Sequence, residues 1–579
     1  MRNRWPFYVW LVLIFGFFGL FLIYPILYVM KGSVCWIDEN GKMHVTLIFF
    51  QLFGENPLMW KCLFHSFLLA FLTTIFCAAI ALPLAQLFVY YDFPLKRLWQ
   101  VFLMGPLILP PFVGAIGIQQ WLGRFGILNH FLGLVGSGVT YPHPVDWLGS
   151  SGIFGIVVMQ SLHLFPILFL NLSTALANIN PTMSETARCL GASSFRVFRT
   201  VTLPLLKPGF FAGAMIVFIW AFTDLGTPLI FGFEQVVAVQ IFDKVTETGF
   251  NPFGYTLVIV VLLVTVVLFL WSRRWITRQD FVTHTQVNVG EEAKPLHGVS
   301  KIVVQLGLAI IFLAAFLPHA TVILQSLSGK WFMEALPRTW TTKHYREVFT
   351  LLQTVTGLKN SLLYSSLSAL IDVVLGSTIA YWLARKEFVG KAVLDTLTVL
   401  PLALPGIVLA FGYVVGFNVP AQWKGVDFTW LRNWINPREN PMLLLVVSYS
   451  IRRLPYVVRI MYSGLQQVSV LLEEASRSLG ASQWLTLRRI VFPILKSNLF
   501  AGGVLAFAFA FLEVSDSLIL AMKEQFYPVT KTIWALVGRI EPDAVHVACA
   551  LGVLGMFLLL LSFYVVTRLL GKKMGSLFG

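Results

Sequence analysis

The sequence predicts an all-α polytopic membrane protein of about twelve transmembrane helices in two homologous six-span halves. Three observations carry this. Of 579 residues, 57% are hydrophobic and only 12% charged, about half the charged share of a soluble domain. Apolar runs of about twenty residues or more recur along the chain, each long enough to cross a bilayer. A polar, basic stretch between such runs occurs twice, and an even number of spans per half gives both halves one orientation, hence a pseudo-twofold axis along the membrane normal.

The first run, from Pro6 to Met30, follows Arg2 and Arg4. It is long and lacks a small-residue cleavage site, so it reads as an uncleaved span with a cytoplasmic N-terminus. A polar stretch with Asp38, Glu39 and Glu55 separates it from a second span near Cys62 to Tyr90. Lys96 and Arg97 mark the next turn as cytoplasmic. A third span contains Pro106, Pro110 and Pro111, and the loop from Gly123 to Ser151 falls outside. The fourth, Ile153 to Leu176, leads into the first polar island, whose Arg188, Arg196, Arg199 and Lys207 place it inside. Two further spans end at Arg273, Arg274 and Arg278, and residues 272–300 are polar without apolar periodicity. The expected division is a first repeat at 1–278, a cytoplasmic linker at 279–300 and a second repeat at 301–579. His65-Ser66 then aligns with Asn360-Ser361, Pro106–Pro110 with Pro401–Pro405, and Phe211–Asp224 with Phe500–Glu513. Basic turns recur at Arg385, Lys386 and Lys391, and at Arg568, Lys572 and Lys573, so the C-terminus is also expected in the cytoplasm.

The islands are the most specific feature. Glu185, Arg188, Gly191, Ser193 and Pro204 keep the same spacing as Glu474, Arg477, Gly480, Ser482 and Pro493. Asn180 before Pro181, and Ser469 in the same register, are N-cap residues. Gly191 and Gly480 stand where a left-handed residue ends a helix cheaply. Ser193 and Ser482 can cap the helix that follows. The glutamate and arginine of each island, three apart, share a helix face.

This pattern resembles the EAA signature of permease subunits of binding-protein-dependent ABC importers, with Thr186 in place of the usual alanine that Ala475 supplies in the second copy. The resemblance implies a type I importer permease whose island helices, through Glu185, Arg188, Gly191, Pro204, Glu474, Arg477, Gly480 and Pro493, couple to an ATPase. It implies as partners two copies of a cytoplasmic ABC ATPase and a periplasmic or lipid-anchored solute-binding protein, in the bacterial inner membrane. The fused form is similar to the ferric-iron type, whose relatives carry thiamine, polyamines or 2-aminoethylphosphonate. Ferric iron is the first expectation for cargo.

The residues themselves exclude several classes. Lys42, Lys330, Lys391 and Lys572 follow glycines but precede Met, Trp, Ala and Lys, so no Gly-x4-Gly-Lys-Ser/Thr phosphate loop is present. No cofactor is expected in this chain, ATP and Mg being left to the partner ATPase, and neither a catalytic residue nor a metal site is expected. The net charge of +15 reads as positively charged cytoplasmic loops against membrane lipid and not as a nucleic-acid surface. The five cysteines form no metal-ligand spacing. Pro106, Pro110, Pro401 and Pro405 interrupt helices at matching places, and read either as breaks in pathway-lining helices or as packed kinks. Asp224 and Glu513 also match, and read either as a cation-facing vestibule or as helix-break carboxylates. An ion-coupled secondary transporter could share the repeats and buried acids, but it has no use for a duplicated ATPase socket.

Overall fold

In the computed structural model the residues described are 5–37, 43–134, 145–148, 152–246, 252–277, 294–331, 334–418, 422–423, 426–427, 429–541 and 543–570. Most of the expected linker, with Thr285 and Arg278, lies outside them, as do Arg2, Arg4, Asp38, Glu39, Lys572 and Lys573. The described chain is almost all helix. Among the described residues, nine helices are long and apolar enough to cross a membrane, or up to eleven if each of two bent pairs is one span. A further helix, Met442–Gln467, has the length of a span but carries Arg452, Arg453 and Arg459 in its apolar run.

The helices divide into two compact units: Met1–Pro57, Ile241–Leu262 and Lys343–Leu577 form one, and Leu58–Gln240 with Leu263–Thr342 the other. These units cut across the order of the chain. In the first, the leading span Phe7–Val34 packs with Gly406–Gly416, where the Tyr413 hydroxyl donates to the Phe21 carbonyl at 2.6 Å and that of Tyr24 to Gly416 at 2.8 Å. In the second, Val299–Ser326 packs on Pro111–Leu122 and Lys96–Ile108. There the Trp121 indole donates to Thr321 Oγ1 at 2.7 Å and that of Trp99 to Gln305 Oε1 at 2.6 Å.

Proline decides where these helices break or widen. Pro110 and Pro405 sit at the two breaks, with the preceding Leu109 (ψ 135°) and Leu404 (ψ 129°) extended, the region that a following proline imposes. The paired helices turn by 91° at the first break and 103° at the second. Pro106 and Pro401 lie inside the first helix of each pair, one turn before the break. Three π-turns, Gly19–Ile23, Phe198–Thr202 and Leu487–Val491, each end two residues before a proline: Pro25, Pro204 and Pro493. The wide turn carries the helix past a residue that has no N–H to give.

Glycine allows the closest helix approach. A Cβ on Gly117 would run into the backbone carbonyl of Pro318, which cannot move aside, whereas a Cβ on Gly307 meets nothing within 4 Å. We therefore expect Gly117→Leu to cost about 1–3 kcal/mol, the usual range for overpacking, and to lower the thermal midpoint of the purified protein, with Gly307→Leu close to neutral. Equal midpoints would contradict this packing.

Candidate functional site

The two islands fold alike. Pro181–Cys189 begins where the Asn180 side chain accepts from the Thr182 amide at 3.0 Å, and Val470–Ser478 where Ser469 Oγ accepts from Leu471 at 3.3 Å. Each ends in a glycine at positive φ, Gly191 at 85° and Gly480 at 83°. The amides of Ala192 and Ala481 reach back to the carbonyls of Ala187 and Ser476, and those of Gly191 and Gly480 to Arg188 and Arg477, the paired bonds of a Schellman cap. Ser193 and Ser482 then accept from Arg196 and Leu485 at 3.4 and 3.3 Å and start the next helix, which runs through the π-turn to Pro204 and Pro493.

Glu185, Arg188, Glu474 and Arg477 are all exposed. Beside them stand large apolar residues in matching positions: Leu190 is 83% and Leu479 90% exposed, Phe195 72% and Trp484 66%. Polar helices flanked by exposed leucine and aromatic side chains, at the same place in both repeats, make a surface suited to a partner.

The second island is also fastened from behind. Glu473 is buried and receives Arg385 Nε at 2.8 Å, the Tyr381 hydroxyl at 3.3 Å and, more distantly, Arg477 at 3.6 Å. The Arg385 guanidinium also donates to the carbonyls of Leu465 and Val468 at 2.9 and 2.6 Å. In the repeat register Ser184 replaces Glu473 and Tyr90 replaces Arg385, so the first island has no such ion pair. Just beyond Arg385, burial and then Arg477 push the Lys386 ammonium below its ordinary range, and it lies 4.1 Å from the Phe7 ring centre.

The proline breaks gather polar groups. Pro110 cannot donate to the Pro106 carbonyl, and His163 Nδ1 does so instead at 2.7 Å. Arg452, the register equivalent of His163, lies against Gly406 at the start of the helix beyond the second break.

Asp224 and Glu513 are both engaged. Asp224 accepts the Gly226 amide at 3.1 Å, capping the short turn that follows, and the Gln160 amide at 3.0 Å; Gln160 in turn accepts from Thr73 at 3.1 Å. Glu513 is ion-paired with both Arg452 and Arg453. Asp516, fully buried, accepts from Ser448 at 2.7 Å and lies 3.4 Å from Arg452. Asp372, buried in the long span Leu352–Arg385, accepts from Ser450 at 2.6 Å. Glu513 thus has arginine counter-charges, whereas the donors to Asp224 are neutral. Sequence reasoning missed Arg452 and Arg453, although two arginines inside an apolar run, with acids three apart at 513 and 516, were a legible sign of a buried network. Among the described residues, no group of three or more His, Cys, Asp or Glu side chains could hold a metal ion.

With this arrangement in hand, the family model for "Binding-protein-dependent transport system inner membrane component" matches residues 3–279 and 373–576. The chain belongs to this family. The match falls in two stretches, so this is a duplicated, fused permease of an ABC importer, a multi-pass protein of the inner membrane. The chain is similar to a putative ferric transport system permease protein FbpB 1 of Haemophilus influenzae, 28% identical over 510 residues, 86% of this chain and 76% of that protein. It is similar to the ferric transport system permease protein FbpB of Actinobacillus pleuropneumoniae, 29% identical over 501 residues, 85% of this chain and 68% of that protein. The sulfate transport system permease protein CysT of Escherichia coli is 28% identical over 218 residues, 37% of this chain and 73% of that protein. A crystal structure of a bacterial ABC transporter involved in the import of the acidic polysaccharide alginate aligns at 16% identity over 48% of this chain and 99% of that one, with a TM-score of 0.36, too low to carry an argument.

The paired charges make a separable expectation. Glu513→Gln leaves two partly buried guanidinium groups short of a counter-charge and should cost about 3 kcal/mol, while Asp224→Asn keeps an acceptor for the Gly226 amide and should cost about 1 kcal/mol. Thermal midpoints and membrane yield measure both. A Glu513→Gln protein as stable as wild type would remove the structural role.

Proposed function

We propose that this permease moves ferric iron from a solute-binding protein to the cytoplasm by alternating access, driven by two copies of an ATPase seated on the two islands. The observation that carries the coupling is the duplicated, exposed pairing of acid, base and large apolar residues: Glu185, Arg188, Leu190 and Phe195, then Glu474, Arg477, Leu479 and Trp484. Gly191, Pro204, Gly480 and Pro493 serve this surface by setting the angle between island helix and span. In this reading ATP and Mg stay with the partner. The ferric cargo is supported by the two ferric transport relatives, similar over most of the chain. The same machinery would serve thiamine, a polyamine or 2-aminoethylphosphonate, and a labelled-iron uptake assay separates these from iron. An ion-coupled carrier is the reading of another class, and the islands speak against it.

The topology that fits is about twelve spans with both termini inside, counting each bent pair and Met442–Gln467 as one crossing. Repeats at 1–278 and 301–579 are joined by a cytoplasmic linker at 279–300. Pro106, Pro110, Pro401 and Pro405 shape the wall of the pathway, where Glu513 is held by two arginines and Asp224 by neutral donors.

The islands are tested by Glu185→Ala with Glu474→Ala. These exposed sites should change stability by less than about 0.5 kcal/mol, yet iron uptake should fall at least about tenfold, the loss of roughly 1.4 kcal/mol of coupling. Normal uptake with normal ATPase co-purification would contradict the assignment.

A further inference from the structure

Two short helices, Val237–Thr246 and Val529–Val537, hold the same place in the two repeats. Each starts at a serine of a long span: the Val237 amide donates to Ser66 Oγ at 2.9 Å and the Val529 amide to Ser361 Oγ at 2.8 Å. In that register Phe242 is the equivalent of Trp534, and Val239 that of Lys531. Phe242 and Trp534 touch edge to face, with ring centres 5.7 Å and planes 78° apart. In the two-fold arrangement that the sequence predicts, equivalent positions can meet only on the axis that relates the repeats. Under the function proposed above, on which this inference rests, the cargo crosses along that axis.

Lys531 sits at this contact. It is 6% exposed, and its ammonium donates to the Leu518 carbonyl at 2.7 Å. It faces the rings of Trp534, Phe242 and Tyr527 at 4.6, 5.2 and 5.6 Å. A carbonyl dipole and three ring faces hold a cation without neutralising it. The nearby carboxylate of Glu513 is committed to Arg452 and Arg453. No carboxylate is among the described contacts of Lys531, and its register position in the first repeat is the neutral Val239, with Asp243 and Lys244 following Phe242 on that helix.

We propose that Lys531 is a specificity-determining residue that screens cargo by charge, so that cargo passes the Phe242–Trp534 contact as an anionic species. If the cargo is iron, it passes as ferric ion wrapped in anionic ligands with a net negative charge. A bare trication is repelled by an ammonium at this distance. An anion gives the ammonium the counter-charge that the rings and carbonyl do not supply, and draws it off the contact as the pathway opens.

The test reads the local potential directly. Phe242→Cys is placed in a Cys35→Ser, Cys189→Ser background, which leaves only the buried cysteines 62, 77 and 549 besides the introduced thiol. Cells carrying the whole native system are treated with anionic sulfonatoethyl and cationic trimethylammonioethyl methanethiosulfonate, and the rate ratio is referred to that on a small free thiol. With Lys531 present the corrected ratio should favour the anion by about tenfold, given a unit charge some 5–6 Å away in a partly screened site. Lys531→Arg should keep the preference and Lys531→Gln should abolish it. Three results would each overturn the proposal: a ratio that Lys531→Gln leaves unchanged, a preference for the cationic reagent, or an introduced thiol that stays unreactive at rest and during transport. Uptake of 55Fe supplied as the citrate complex is measured in parallel in the wild type. Absence of uptake refutes the iron reading without moving the reagent ratio.

Discussion

A proline in a membrane helix removes an N–H where no water replaces it, and much of this architecture follows from that constraint. The chain meets it in three ways. Ahead of Pro25, Pro204 and Pro493 the helix widens into a π-turn and continues. At Pro110 and Pro405 it breaks and turns sharply. Where a carbonyl is left over, a side chain from another helix supplies the donor: Tyr413 for Phe21 and His163 for Pro106. The prolines thus fix both the bends and the partners that must pack against them.

The repeats satisfy this frame with different chemistry. Around the first break the polar groups are mostly neutral, Gln160, His163 and Thr73 about the single acid Asp224. Around the second they are charges, with Arg452 and Arg453 set against Glu513, Asp516 and Asp372. The second island likewise has a buried Glu473–Arg385 pair where the first has Ser184 and Tyr90. Buried pairs of this kind cost desolvation and return it through fixed geometry. A fused chain can hold such an asymmetry where two identical subunits cannot.

The features legible in the sequence were those whose physics is local. The caps at Asn180, Ser193, Ser469 and Ser482 and the left-handed Gly191 and Gly480 are dictated within a few residues, and the structure has them all. The breaks at Pro110 and Pro405 were legible for the same reason. Less visible was anything decided by distant partners. Whether Asp224 and Glu513 were free or engaged depended on Gln160, Arg452 and Arg453, some sixty residues away in sequence. The division into compact units, with the leading span beside Gly406–Gly416, left no mark in the repeat pattern, because a lipid-facing and a protein-facing apolar residue look alike in sequence.

The central claim is that one chain presents two ATPase sockets, so the stoichiometry of the assembled importer tests it most directly. Native mass spectrometry of the complex purified from membranes through a tag on this chain should give one copy of this chain with two copies of the ATPase. A particle with one ATPase per chain, or with two copies of this chain sharing two ATPases, would contradict the account.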